Sequence, residues 1–239
     1  MDTNLIAPPS TEALVLTPVA EPSAHEALVR RKRAEFAHLA PQYELQCFVA
    51  TLGRIKTLRR QVAALAKSDV KGPVLELCCG TGGVTSELAR LFDDVTGVDL
   101  SPDMLARAAR RIQRERLTNV RLREAEVSTL RFPAASFSAV VISLGLHELP
   151  RDLRDDLLKQ VAVWLKPGGR FVFCDYVKSR NPIVSTVLRL VGRLVIEEKY
   201  FGEYMDYSIG EHFQRFGLIP VERGRQFLSS LEVSAWTVK

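Results

Sequence analysis

The stretch Val74-Leu75-Glu76-Leu77-Cys78-Cys79-Gly80-Thr81-Gly82-Gly83 decides the fold. Val74 to Leu77 is a short apolar run, the signature of a strand buried in a parallel sheet. It leads into small residues and glycines, and from Val84 to Phe92 the apolar spacing turns helical. A strand that ends in a glycine turn and opens a helix holds a ligand against bare backbone. Gly80 and Gly82 carry no Cβ, so a ligand can approach closely, and the first N–H groups of the helix point at it.

Nucleotide dehydrogenases, phosphate-binding NTPases and methyltransferases all use this arrangement, and the neighbouring residues separate them. A P-loop needs a Gly-Lys-Ser/Thr ending, and no lysine stands here. A dinucleotide fingerprint needs a third glycine where this chain has Thr85. What remains is acidic Glu76 at the strand end, followed by G-x-G. This resembles the first motif of class I S-adenosylmethionine (SAM) methyltransferases, E/D-x-G-x-G-x-G, with Cys78 in place of the first glycine.

The second strand, Asp94 to Asp99, carries Asp99 at its tip, and Ser101 and Pro102 open the next helix. In a βαβ unit that tip stands beside the first glycine turn, where a carboxylate can accept from both hydroxyls of a ribose. Asp99 therefore points to a nucleoside ligand. Met104, one turn into the helix, suits either a purine face or the core. The helix from Pro102 to about Arg116 is basic outside and Ala/Leu-rich inside, as a helix lying on a sheet should be.

A third strand spans Val120–Arg123, and a fourth spans Ala139–Ser143. The segment around Glu124-Ala125 and Leu130 to Ser138 resembles the family's G-D-A-x-x-L-P-F-x-x-x-S-F-D, with Arg123, Glu124 and Ser138 as departures. Leu144 to Pro150 resembles its x-x-L-H-H-L-P turn, and Leu165-Lys166-Pro167-Gly168-Gly169 its L-K-P-G-G stop. Upstream, Phe36 to Glu44 resembles the F-x-x-I-A-P-x-Y-D opening of ubiquinone/menaquinone-type methyltransferases.

Together these motifs identify the chain as similar to the class I SAM methyltransferases, in wording nearest the ubiquinone/menaquinone-biosynthesis and type 11 small-molecule groups. The resemblance implies an α/β, Rossmann-like seven-stranded mixed sheet of order 3-2-1-4-5-7-6, with helices on both faces and an N-terminal helical lid. It implies SAM as cofactor, held by Tyr43, Glu76, Cys78, Gly80, Thr81, Gly82, Asp99, Leu100, Met104, Glu124, Ala125 and Ser143. Glu124 would accept from the adenine amino group, and Tyr43 would lie over the cofactor. It also implies a methyl transfer to oxygen, nitrogen or carbon of a small acceptor. His147 leaves the carboxyl edge of the sheet and is the base candidate for an acceptor proton, titrating near neutral pH. A histidine that only orders its loop is the alternative. Two rivals stay open at this point: a non-catalytic SAM-binding protein on the same fold, and a nucleotide-dependent oxidoreductase.

Composition bounds the rest. A chain of 239 residues with 46% hydrophobic content makes one sizeable domain with extra segments. Residues 1–22, with prolines at 8, 9, 18 and 22, read as a disordered tail; 23–70 as a helical lid; 71–239 as the methyltransferase domain. Within the lid, helices are expected from Ser23 to Leu39 and from Glu44 to Lys67, and the last two strands near 218–226 and 228–238. No apolar run reaches the roughly 18 residues that span a bilayer, and the opening residues lack a basic signal region. Scattered Cys47, Cys78, Cys79 and Cys174 show neither a metal pattern nor a disulfide framework, which fits a reducing cytoplasm. The basic run Arg30-Arg31-Lys32-Arg33 reads as a solvated helix face, and the net charge of +5 does not suggest nucleic acid. Ile183–Glu197 reads as a helix, and the aromatics between Tyr200 and Tyr207 suggest either a lipophilic or aromatic acceptor, with at most peripheral membrane contact, or the packing of a lid helix.

Overall fold

The apolar run Val74–Leu77 forms β1, every residue of it buried, and it lies inside the sheet. It pairs in parallel with β2 (Val95–Asp99) on one side and β4 (Phe137–Ser143) on the other. Leu77 thus stands opposite Val98 and Ile142, and all three are shielded from water. Burying a side chain of this size stabilises the fold by about 1.5–3 kcal/mol. β3 (Val120–Glu124) pairs outside β2, and β5 (Leu165–Tyr176) outside β4. The antiparallel pair β6 (Ile219–Gln226) and β7 (Leu231–Thr237) completes a seven-stranded mixed sheet of order β3-β2-β1-β4-β5-β7-β6. The chain leaves β1 towards β2 and returns at β4, so their carboxyl ends flank the crevice where open α/β sheets bind ligands. This computed structural model describes residues 23–179, 181–183, 186, 204–205, 209–226 and 230–239. The expected tail at 1–22, most of the helix expected over 183–197, and most of the aromatic run at 200–207 lie outside them.

Alternation along the strands gives the sheet two apolar faces. Leu75, Leu77, Val140, Ile142, Phe171 and Phe173 meet α6 (Arg151–Trp164) and α7 (Ile209–Arg215) through Leu158, Trp164 and Phe213. Val74, Ala139, Val141 and Val172 meet α3 (Ile55–Leu65) and α4 (Gly83–Ala89) through Leu58, Val62 and Leu88. α3 is therefore a layer of the core as well as part of the N-terminal helical segment. α5 (Pro102–Arg114) is capped by the Ser101 hydroxyl, which accepts from the Met104 N–H.

α1 (Ala24–Leu39) begins at Ser23 with a capping box closed by Glu26. The helix expected over Glu44–Lys67 is two helices, α2 (Tyr43–Ala50) and α3. Between them Leu52 and Gly53 take φ of 49° and 78°, the left-handed geometry that ends a helix. β5 begins at Leu165, earlier than the sequence pattern suggests, and turns at Gly168, whose φ is 73°. Among the described residues, no helix is long and apolar enough to cross a membrane.

Candidate functional site

A pocket opens at the carboxyl ends of β1 and β4, under α2. Tyr43, Glu76, Cys78, Thr81 and Ser143 line it, joined by Cys47, Arg59, Gly83 and Leu144, which were not among the expected cofactor residues. The turn after β1 is built by three left-handed residues, Cys78, Gly80 and Gly82, at φ of 54°, 53° and 73°. Cys78 thus takes the glycine-like conformation that the motif calls for. Gly82 serves a purpose the motif hides: a Cβ there would sit 2.9 Å from the Cβ of Ala108. Its lack of a side chain lets α5 pack against the turn, a neighbour that the ligand-approach argument did not name. At Gly80 a Cβ would meet nothing nearer than Tyr43 at 3.9 Å, so that position alone keeps backbone open beneath the α2 roof.

Asp99, 8% exposed, fixes this turn from the tip of β2. Its Oδ2 accepts from the Gly80 N–H at 2.7 Å and its Oδ1 from the Ser101 N–H at 2.9 Å. Burial raises its pKa above the ordinary carboxylate value, against the pull of those N–H donors. Leu100 follows it at the same edge. Glu76 lies fully inside and accepts from the Thr85 hydroxyl at 2.5 Å. Burial pushes it up to about 8, so near neutral pH it is largely uncharged.

Other expected residues lie outside the pocket lining. Met104 is a core side chain at 1% exposure. Ala125 packs against the core and its N–H is bound by the Asp99 carbonyl. Glu124, opposite Asp99 in the sheet, accepts from Arg33 of α1 at 2.7 Å.

His147 is 4% exposed and held between two carboxylates. Its Nδ1 is 2.7 Å from Oδ1 of Asp175, and its Nε2 is 3.2 Å from Oε1 of Glu148. Glu148 also accepts from Lys32 of α1 at 2.6 Å. Burial alone would favour the neutral ring, but Asp175 and Glu148 overcome it and raise His147 to about 10. The titration near pH 6–7 expected of a free base is therefore displaced upwards. Asp175 takes in addition the N–H groups of Leu146, His147 and Tyr176, so it organises the whole turn after β4. A carboxylate inside the apolar run Phe171–Tyr176 was the signal that could have revealed it.

Arg59 and Arg111, gathered around Glu44 at the end of the Phe36–Glu44 motif, form a second group that the expected cofactor residues did not include. Arg59 donates to both oxygens of Glu44 at 2.9 Å, Arg111 forms an ion pair with Oε2 at 2.9 Å, and the Thr81 hydroxyl donates to Oε1 at 2.5 Å. The Arg59 guanidinium lies flat on the turn: a Cβ on Gly83 would fall 2.3 Å from it.

Comparison with known proteins now bears on this geometry. The family model described as a methyltransferase domain matches residues 74–169, from β1 to the Gly168-Gly169 turn. The demethylmenaquinone methyltransferase of Lactiplantibacillus plantarum is 30% identical over 72% of this chain and 75% of its own length. The ubiquinone/menaquinone biosynthesis C-methyltransferase UbiE of Azotobacter vinelandii is 28% identical over 80% of this chain and 79% of its own. In fold, the chain is similar to magnesium protoporphyrin IX methyltransferase from Synechocystis PCC 6803, with a TM-score of 0.69 at 15% identity, covering 88% of this chain and 99% of that one. With the acidic strand tip, the left-handed glycine turn and the 3-2-1-4-5-7-6 sheet in place, the chain belongs to the class I SAM-dependent methyltransferases of the demethylmenaquinone methyltransferase and UbiE type.

Proposed function

We propose that the acceptor is a small, lipophilic molecule of quinone type, methylated on carbon, with oxygen or nitrogen acceptors as outcomes a product analysis would separate. What carries this reading is the likeness, over about three quarters of both chains, to a protein named for demethylmenaquinone. When bound, SAM supplies a methyl group already activated on a sulfonium. The donor set fits it: a nucleoside with an amino-acid tail needs a carboxylate for its ribose, an anion-binding group for its own carboxylate, and an aromatic or apolar cover. Asp99 and the Gly80 turn would serve the ribose, with Leu100, Glu124 and Ala125 beside the base. Tyr43, Cys78, Thr81 and Ser143 would enclose the reacting end, and Glu76 and Gly82 would keep the turn in shape. Since the methyl arrives activated, the protein's main contribution is alignment, worth up to about 7–11 kcal/mol of barrier.

The base role expected of His147 suits this cluster poorly, because each ring nitrogen faces a carboxylate. We assign it to positioning: as an imidazolium it ties the turn after β4 to β5 and, through Glu148 and Lys32, to α1. α1 and α2, with α3 behind them, act as the lid over residues 71–239. Four unpaired cysteines agree with a reducing, cytoplasmic setting. Peripheral membrane contact is supported by α2, whose Leu45, Phe48 and Val49, with Leu52 just beyond it, are all exposed at helical spacing. Exposed Arg54, Lys56 and Arg60 follow, with no acidic residue between Leu45 and Ser68, a combination suited to an anionic lipid surface. The test of the cofactor assignment is thermal stabilisation: S-adenosylhomocysteine should raise Tm and NAD should not. A rise with NAD alone would reject it.

A further inference from the structure

At the mouth of the cofactor crevice a carboxylate of the protein sits in a cradle built for a carboxylate. Glu44, on the first turn of α2, is gripped at both oxygens by Arg59, at Oε2 by Arg111 and at Oε1 by Thr81. The cradle is the buried partner of the pair. The side chains of Arg59 and Arg111 are 10% and 15% exposed and Thr81 is 3% exposed, whereas the Glu44 side chain is 42% exposed. The fixed half of the arrangement is thus the donors, anchored on α3, on α5 and in the turn after β1. The half that can leave is the glutamate. Charge leads the same way. Two guanidinium groups face one carboxylate, and Glu76, the other acid against Arg59, is largely neutral near pH 7.

We infer that Arg59, Thr81 and Arg111 form the subsite for the amino-acid carboxylate of the cofactor, and that Glu44 occupies it as an internal stand-in that the cofactor must displace. The inference rests on the SAM reading above and adds a competition to it. Arg59, Thr81 and Gly83 line the same pocket as Tyr43, so an anion entering there meets the cradle and the α2 roof together. Tyr43 is the residue next to Glu44. Displacing the glutamate therefore loosens the roof over the pocket as the cofactor arrives, and cofactor loss lets Glu44 return and reseat α2. Such a device lowers apparent affinity by the fraction of molecules in the self-occupied state. It also gives the free protein a closed mouth.

The experiment compares two probes by calorimetry: S-adenosylhomocysteine, which carries the amino-acid carboxylate, and 5′-methylthioadenosine, which lacks it. Glu44→Ala should bind S-adenosylhomocysteine about 5- to 50-fold more tightly than the wild type, the range of an ordinary coupling between two states. It should bind 5′-methylthioadenosine with nearly unchanged affinity. Glu44→Gln, which keeps the shape of the side chain, should move the same way by less. Arg59→Gln should weaken S-adenosylhomocysteine and spare 5′-methylthioadenosine. Far-ultraviolet circular dichroism checks that each variant is folded, and Glu44→Gln serves if the alanine variant is not. Unchanged or weaker binding of S-adenosylhomocysteine by the Glu44 variants overturns the stand-in, because Glu44 would then be a structural residue or a ligand of the cofactor's ammonium group. An equal gain for both probes overturns the carboxylate subsite. If no variant binds either probe, the cofactor reading itself fails, an outcome distinct from the other two.

Discussion

Nδ1 of His147 lies 2.7 Å from Oδ1 of Asp175, and both side chains are nearly sealed from water. The second nitrogen faces Glu148, and the two carboxylates favour the protonated ring and raise its value to about 10. A histidine held above its unfolded value near 6.5 binds its proton more tightly in the folded state. Its contribution to stability is complete below about pH 6.5 and fades as pH rises through about 10. The wild type should therefore lose Tm across that window, and His147→Gln should show a flatter curve. Removing one partner of a buried ion pair costs about 3–5 kcal/mol, so the variant should also be less stable at pH 6. Methyl transfer by the wild type should show no limb near pH 6–7 from this group. Tm and single-turnover rates against pH check both points.

Asp99 holds two backbone N–H groups and stands where a ribose is expected. Asp99→Ala should weaken S-adenosylhomocysteine binding by about 1.5–3 kcal/mol, the range for a hydrogen bond to a charged group. A modest fall in Tm should accompany it, since Gly80 and Ser101 lose their acceptor. Titration calorimetry with unchanged affinity would contradict the ribose role.

The two glycines of the turn should respond differently. Both are left-handed, a conformation that costs an ordinary residue about 1–2 kcal/mol. Gly82→Ala adds a contact of 2.9 Å with Ala108, which lies on the α5 backbone and cannot swing away. Denaturant unfolding should therefore show Gly82→Ala as clearly the less stable variant. Equal losses would mean that α5 is free to shift.

The outer face of α2 predicts attachment to anionic vesicles. Leu52, 83% exposed, is the most protruding of its apolar residues. Leu52→Asp should lower partition onto phosphatidylglycerol vesicles about tenfold, by losing a buried side chain and adding a repelled charge. Binding should also weaken with salt, because basic side chains contribute. Sedimentation of the wild type with neutral and anionic vesicles alike, or with neither, would argue against this surface.

The parallel half of the sheet was legible because strands buried on both faces are apolar runs bounded by turns, as β1 and β4 are, and β2 shows the pattern more weakly through Val95 and Val98. Ser23 and Ser101 were legible as helix starts because capping is local chemistry. The break at Leu52-Gly53 was not, since apolar periodicity continues across it and only the backbone angles change. His147 was picked out from its turn, but its partner was not legible, because Asp175 lies 28 residues away on β5. The cluster of Glu44, Arg59, Thr81 and Arg111 joins α2, α3, the first turn and α5, so no spacing along the chain announces it. Gly82 was picked out for its bare backbone, and its packing against Ala108 of α5 was not legible, because that contact joins separate elements.

The most direct test of the account is transfer of label from methyl-labelled SAM to a reduced, demethylated menaquinone, with the position of the label read by mass spectrometry and NMR. The account predicts a labelled methyl on a ring carbon, formed by the wild type and reduced in Asp99→Ala. Label on oxygen or nitrogen, or an acceptor left unlabelled by a protein that S-adenosylhomocysteine stabilises, would contradict it.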